Sequence, residues 1–201
     1  IEDLGNTTFL QALDNKTDLN LYKLAIDELV KIQQIDVATY PLNQYNHDLL
    51  NTELELLIDW YLPKDINQNS FANLRSLFDQ LIQNSLSSPQ VFVHRDYHCR
   101  NLMITHEKIT VIDFQDAVIG SNTYDLASLL KDAYFELSPF EIKTLLEYYY
   151  QQANVQTPFE EFEKQFDLMG LQRHLKILGI FKRLSLRDGK HQYLDDIPLV
   201  K

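Results

Sequence analysis

His94-Arg95-Asp96, with Asn101 five residues after the aspartate and Asp113 twelve beyond that, is the densest set of chemically competent side chains in the sequence. Phe92 and Val93 lead into it. Leu102 to Thr105 and Ile109 to Ile112 then read as two short β-strands about the polar turn His106-Glu107-Lys108, and the second strand delivers Asp113. A hairpin with an aspartate before it, an asparagine at its entrance and another aspartate at its exit gathers three oxygen-bearing groups. Phosphoryl transfer from ATP needs such a set: a carboxylate to accept the proton of the attacking hydroxyl, and hard oxygen ligands to hold Mg2+ beside the phosphates. Asp96 suits the first role, and Asn101 and Asp113 the second. The stretch 91–116 is therefore what the chain is organised around.

Two other readings of the same residues stand beside this one. In the first, Asp96 and Asp113 cap turns and His94 is a core histidine, which accounts for single residues but not for their arrangement. In the second, His94-x-Asp96-x-His98 chelates a transition metal and, with Asp113 and Asp116, forms a hydrolase centre. Residues two apart converge on one metal only in an extended strand, and Arg95 and Arg100 would oppose a divalent cation.

The elements around this stretch are helical. Apolar residues at helical spacing predict helices over Asp18 to Ile35, from His47 or Asp48 to Leu62, and over Ser70 to Leu86. Beyond a loop from Ala117 to Asn122, a helix is expected from Thr123 or Tyr124 to about Leu137. Ser138-Pro139-Phe140-Glu141 and Thr157-Pro158-Phe159-Glu160 both have the form of a capping box, and the helix opened by the second should run to about Arg187 before Asp188-Gly189. The fold class is α+β, predominantly α, with a small β-hairpin carrying the site.

Composition excludes several classes of function. With 18 basic and 29 acidic residues the net charge is −11, which argues against attraction to nucleic acid or an anionic membrane. No apolar run approaches the ~18 residues of a membrane span. Cys99 is the single cysteine, so no internal disulfide forms and a reducing, cytoplasmic setting is expected. The five glycines build no phosphate-cradling loop.

HRDYHCRN, IDFQDA and GSNTYDL resemble the catalytic loop, the metal-binding segment and the segment that follows it in the aminoglycoside phosphotransferase and choline kinase group of the protein-kinase-like superfamily. HRDYHCRNLM, VIDFQDAVIGSNTYDLASLLKD, LGIFKRLSLRDGK and YLDDIP are more closely similar to bacterial sugar kinases that phosphorylate the anomeric hydroxyl of N-acetylmuramate and N-acetylglucosamine in cell-wall recycling. The resemblance implies Asp96 as catalytic base with His94 shaping its loop, Asn101 and Asp113 as Mg2+ ligands, and Asp125 bonded to the loop backbone. It implies ATP as co-substrate, with Glu2 and Leu4 on a hinge strand (residues 1–5) meeting adenine and Met103 and Ile112 flooring its pocket. The sugar would lie between the catalytic loop and the helical part, with His98, Arg100, Asp116, Arg173 and His174 as candidate contacts. Glu53 with Trp60 and Tyr61 would form an aromatic wall, unless the two rings are a core pair.

On this resemblance residues 6–201 are the helical C-terminal lobe of a kinase-like fold. The N-terminal lobe, with its phosphate-covering loop and strand lysine, is absent from the sequence, so these residues are expected to be inactive alone and to expose an apolar cleft face that favours self-association. Aminoglycosides, choline and other small alcohols remain alternative acceptors, the net negative charge suiting a cationic one. A non-catalytic, kinase-like binding module is the alternative from a different class.

Overall fold

Tyr22, Ala25, Ile26, Leu29 and Val30 recur at helical spacing, and all five are buried on one face of a helix whose start is capped by the Asp18 carboxylate. The same logic builds most of the molecule, described here from a computed structural model covering residues 3–14, 16–39, 41–105 and 108–200. In chain order the helices are α1 (Phe9–Leu13), α2 (Leu19–Gln33), α3 (His47–Leu56), α4 (Gln68–Ser87), α5 (Tyr124–Leu130), α6 (Pro139–Gln152), α7 (Phe159–Asp188) and α8 (Ile197–Val200). The strands are β1 (Asn43–Gln44), β2 (Gln90–Val93), β3 (Leu102–Thr105), β4 (Lys108–Val111) and β5 (Val118–Ser121).

Helix α7 is the axis of the packing. Its 30 residues make a rod about 45 Å long. It packs against α3, α4, α5 and the turn after α3, and it buries Phe162, Phe166 and Met169 near one end and Leu178 and Phe181 near the other. Gly189 ends it in the left-handed conformation (φ 68°) that a Cβ would strain. Two small sheets carry the loops. In one, β5 pairs antiparallel with β2 and parallel with β1; the other is the β3–β4 hairpin, with Leu102 opposite Val111 and Met103 opposite Thr110.

The α+β, mainly helical class and the β3–β4 hairpin are as expected, but five local expectations change. Residues 117–122 are not all loop: Val118–Ser121 is the central strand of the three-stranded sheet, and Gly120 is small because a Cβ there would press on Tyr45 and Val93. The helix after it stops at Leu130 rather than near Leu137. The buried Asp132 takes the N–H groups of Cys99 (2.9 Å) and Tyr134 (3.1 Å), which replaces helical bonding with a turn. The Ser138–Glu141 capping box forms, whereas its counterpart does not: Pro158 occupies the cap position of α7 without a side-chain bond, and the Thr157 carbonyl accepts from the Tyr150 hydroxyl. The helix from His47 changes to a π turn over Leu57–Tyr61. At the start, Asp3–Gly5 lies outside any strand, and the sheet contact comes at Thr8, which bridges Met103 and caps the short α1 through a Thr8–Gln11 box. Ile1 and Glu2 lie outside the described residues.

Where α7 crosses the end of α3, Gly179 lies against the backbone carbonyl of Leu56, so an added methyl group collides with main chain. At Gly170 the methyl meets only the flexible end of Lys131. Gly179→Ala should therefore lower stability by about 1–3 kcal/mol in urea unfolding. Gly170→Ala, helped by its better helix propensity, should stay within about 1 kcal/mol of the parent.

Candidate active site

Strand β2 feeds the loop 94–101, and a single buried carboxylate takes hold of its start. Asp125, in the first turn of α5 and wholly buried, accepts the N–H of His94 (2.6 Å) on one oxygen and that of Arg95 (3.0 Å) on the other. This grip holds Arg95 in the left-handed region (φ 75°), a conformation that costs a non-glycine residue on the order of 1 kcal/mol or more. Burial pushes Asp125 up from 3.8 to about 7, against the opposing pull of the two N–H groups and the Arg173 charge.

His94 ties the loop to the hairpin. Its Nε2 lies 3.0 Å from the Ile112 carbonyl, which can only accept, so Nε2 carries the proton and Nδ1 accepts the N–H of Asp96 (3.3 Å). Burial lowers the pKa of the ring, which favours this neutral form. The loop then closes on itself. The Asp96 carbonyl accepts from the His98 N–H (3.0 Å) and the Asn101 side-chain amide (3.1 Å), and Asn101 N–H donates to the His98 carbonyl (2.9 Å).

Ile112 N–H donates to the Asn101 carbonyl (3.1 Å), so the end of β4 brings Asp113 beside Asn101. Asp113 is exposed and left-handed (φ 70°), with one carboxylate oxygen accepting from Gln115 (2.9 Å). With its nitrogen engaged on the loop, Asn101 has a side-chain oxygen that takes no hydrogen bond from a described residue. Two hard oxygen donors, one of them charged, fit magnesium, which binds through few protein ligands and keeps several waters. The transition-metal reading gains nothing. His94 is spent on Ile112, His98 stands edge-on to Tyr134, and no group of three or more His, Cys, Asp or Glu side chains among the described residues could hold an ion.

Beside Asp96 opens a pocket of about 110 Å³. Its polar wall is Arg95, Asp96, His98, Asp132, Arg173 and Lys176; Tyr134, Ile180 and Phe181 form the apolar side. Glu53, 6% exposed, lies beneath it. Its carboxylate accepts from Arg95 (2.5 Å), from Lys176 (2.8 Å) and from the Tyr45 hydroxyl, while Lys176 also reaches the Tyr124 hydroxyl (3.0 Å). Burial by itself would raise the pKa of Glu53, but Lys176, Tyr45 and Arg95 together hold it below the usual carboxylate range.

The pocket thus brings together three of the sequence candidates, Asp96, His98 and Arg173, and leaves three outside its lining. Arg100 stacks over Tyr134 (3.5 Å to the ring centre) and pairs with Asp196 (3.7 Å). His174 bonds to the Lys131 carbonyl (2.9 Å), and Asp116 is exposed, its backbone carbonyl held by Arg95 (3.4 Å). Nor does Glu53 join an aromatic wall. It is the buried counter-ion under the pocket, because Lys176 and Arg95 must be neutralised there, while Tyr61 packs against the core and neither it nor Trp60 lines the pocket. Of the adenine-floor candidates, Met103 is buried, with its backbone bridged to Thr8, and Ile112 is half-buried; the Leu4 carbonyl accepts from Thr105 (3.1 Å), and Glu2 lies outside the described residues. Sequence reasoning missed Arg95, Tyr124 and Lys176. Lys176 was within reach, since it follows Arg173 by three residues on one helix face.

This fold is that of small-molecule kinases. It superposes on the ethanolamine kinase of Plasmodium vivax with a TM-score of 0.67 at 13% identity, covering 98% of this chain and 61% of that one. A choline/ethanolamine kinase family protein from Mesorhizobium loti gives 0.68 at 14% identity, covering 97% and 63%. The sequence pattern of the phosphotransferase enzyme family matches residues 1–160, and the chain belongs to that family. The N-acetylmuramate/N-acetylglucosamine kinase of Pseudomonas aeruginosa is 39% identical over 207 residues, an alignment that covers 98% of this chain and 61% of that protein. The chain therefore spans about three fifths of the length of this relative. No helix among the described residues is long and apolar enough to cross a membrane.

Two outcomes follow from the buried charges. Glu53→Gln leaves Arg95 and Lys176 without their counter-ion and should cost about 3–5 kcal/mol, read by urea unfolding. Between pH 4 and pH 7 the folded chain keeps on Asp125 a proton that the unfolded chain has released, so this group makes stability fall as pH rises through that window and then level off. Buried His94, His98 and His174, whose pKa values are lowered, contribute the opposite slope, so the Asp125 effect is read as a difference: from pH 4.5 to 8, stability of the parent relative to Asp125→Asn should fall with rising pH and then level off.

Proposed function

We propose that this chain carries the acceptor and metal sites of an ATP-dependent kinase that phosphorylates the anomeric hydroxyl of an amino sugar, N-acetylmuramate or N-acetylglucosamine. The observation that carries the reading is Asp96. It opens into the pocket on one side, and its backbone is tied to the metal-ligand pair Asn101 and Asp113 on the other. The family match and the name of the 39% identical relative support the reaction and the acceptor. In this mechanism Asp96 accepts the proton of the acceptor hydroxyl as its oxygen attacks the γ-phosphorus and ADP departs. Asn101 and Asp113 would hold magnesium, which would supply positive charge beside the phosphates. His94 and Asp125 keep the loop in the shape that aims Asp96, and Leu4, Met103 and Ile112 lie on the adenine side.

Arg95 and Lys176 are paired with Glu53, and Arg173, with idle donors on the pocket wall, supports an acceptor that brings hydrogen-bond acceptors rather than a further cation. Asp96→Asn in the full-length protein should lower turnover of either sugar by about 10²- to 10⁴-fold with the melting temperature little changed. Phosphorus NMR of the sugar 1-phosphate reads the rate, and undiminished turnover would remove Asp96 from the mechanism.

A further inference from the structure

The other buried charges under this pocket have partners. Glu53 takes Arg95 and Lys176, Asp125 takes two loop N–H groups, and Asp132 takes those of Cys99 and Tyr134. Arg173 differs. It projects from the middle of α7, is 5% exposed, and neither its Nε nor its Nη1 has a hydrogen-bond acceptor among the described residues. A guanidinium cannot shed its proton, so burying it with idle donors is unfavourable. It makes no bond to Glu53, whose oxygens serve Arg95, Lys176 and Tyr45; its guanidinium carbon lies 5.4 Å from the Tyr124 ring centre, and the buried Asp125 that feels its charge is bonded to two loop N–H groups instead.

The position of those idle donors gives them a use. Arg173 lines the pocket together with Asp96, and His98 Nδ1, on the same wall, also lacks a partner. The three cations around the cavity, Arg95, Arg173 and Lys176, are matched in number by Asp96, Asp132 and the underlying Glu53, but none of these carboxylates bonds Arg173, and Asp96 is the candidate base. A ligand that satisfies the idle donors of Arg173 brings its own acceptor, a carboxylate for the strongest pairing, placed away from the hydroxyl that Asp96 addresses. N-acetylmuramate is N-acetylglucosamine with a lactyl ether on the ring, and its carboxylate is well separated from the anomeric hydroxyl.

We propose that Arg173 receives the carboxylate of an acid-bearing amino sugar and so sets a preference for N-acetylmuramate over the neutral N-acetylglucosamine. This rests on the kinase reading above and adds the residue that tells its two acceptors apart. The competing source of an anion is the transferring phosphate of the nucleotide, and the two make different demands. A carboxylate contact is felt by one sugar only; a phosphate contact is felt by both and by ATP.

The test compares kcat/KM for the two sugars in the full-length protein at saturating ATP, with Arg173→Met, which keeps bulk against Tyr124, and Arg173→Lys, which keeps the charge but not the planar fork. In Arg173→Met the acid-to-neutral ratio of kcat/KM should fall roughly 10- to 100-fold, mainly through KM for the acid. Arg173→Lys should recover part of it. Should Arg173→Met not fold by circular dichroism, the Lys variant carries the comparison, and its ratio must still drop. Equal losses on both sugars, or a raised KM for ATP, overturn the assignment. Calorimetric titration of each sugar without nucleotide gives a reading free of turnover. If the parent phosphorylates neither sugar yet holds the acid more tightly, and Arg173→Met abolishes that difference, the kinase reading fails and the carboxylate site stands. If the parent binds both sugars equally, the site falls.

Discussion

The grip of Asp125 on the backbone of His94 and Arg95 is the contact on which the rest of the site depends. A carboxylate deprived of water and given two N–H donors is expensive to bury, and the chain retains it where the loop leaves β2. From that anchor the order of the site follows. Arg95 is held left-handed with its side chain on Glu53, His94 is turned toward the Ile112 carbonyl, and Asp96 is presented to the pocket while its carbonyl holds the Asn101 amide. Without the anchor, the strain at Arg95 would be relieved by a different path of the loop, and the two halves of the site would part.

Charge is arranged locally against the average. The chain carries a net −11, yet the pocket beside Asp96 is walled by Arg95, Arg173 and Lys176. At these distances, in a partly desolvated cavity, nearby charges outweigh the screened field of the remote surface. Glu53 makes the arrangement sustainable by sharing its carboxylate between two of the cations from below, while Arg173 keeps donors without an acceptor among the described residues. The acidic composition suggested a cationic acceptor, whereas cations and carboxylates share the wall of the pocket.

Much of the scaffold was legible because its causes are local. The amphipathic spacing of α2, the Ser138–Glu141 box and the αL glycine after α7 act within a few residues and appear where the sequence places them. Failures came where a distant partner decided. Val118–Ser121 reads as loop until β1 and β2 flank it, and the expected helix to Leu137 loses its last turns because Asp132 is drawn to the backbone of Cys99. Phe114 is 66% exposed at the end of the hairpin, which no apolar pattern foretells.

The candidate site divides in the same way. His94, Asp96, Asn101 and Asp113 lie within twenty residues, and a hairpin of fixed register converts their spacing into proximity, so sequence alone determined them as a set. Only the tertiary structure decided what surrounds them. Glu53 meets Lys176 across 123 positions and Arg95 across 42, and Arg173 enters the pocket because α7 packs on α5. No local rule records such pairings, since the free energy that selects them is that of burying charge among elements already folded. That is why an arginine on a long helix reads as solvated in sequence and proves to be buried with idle donors beside the candidate base.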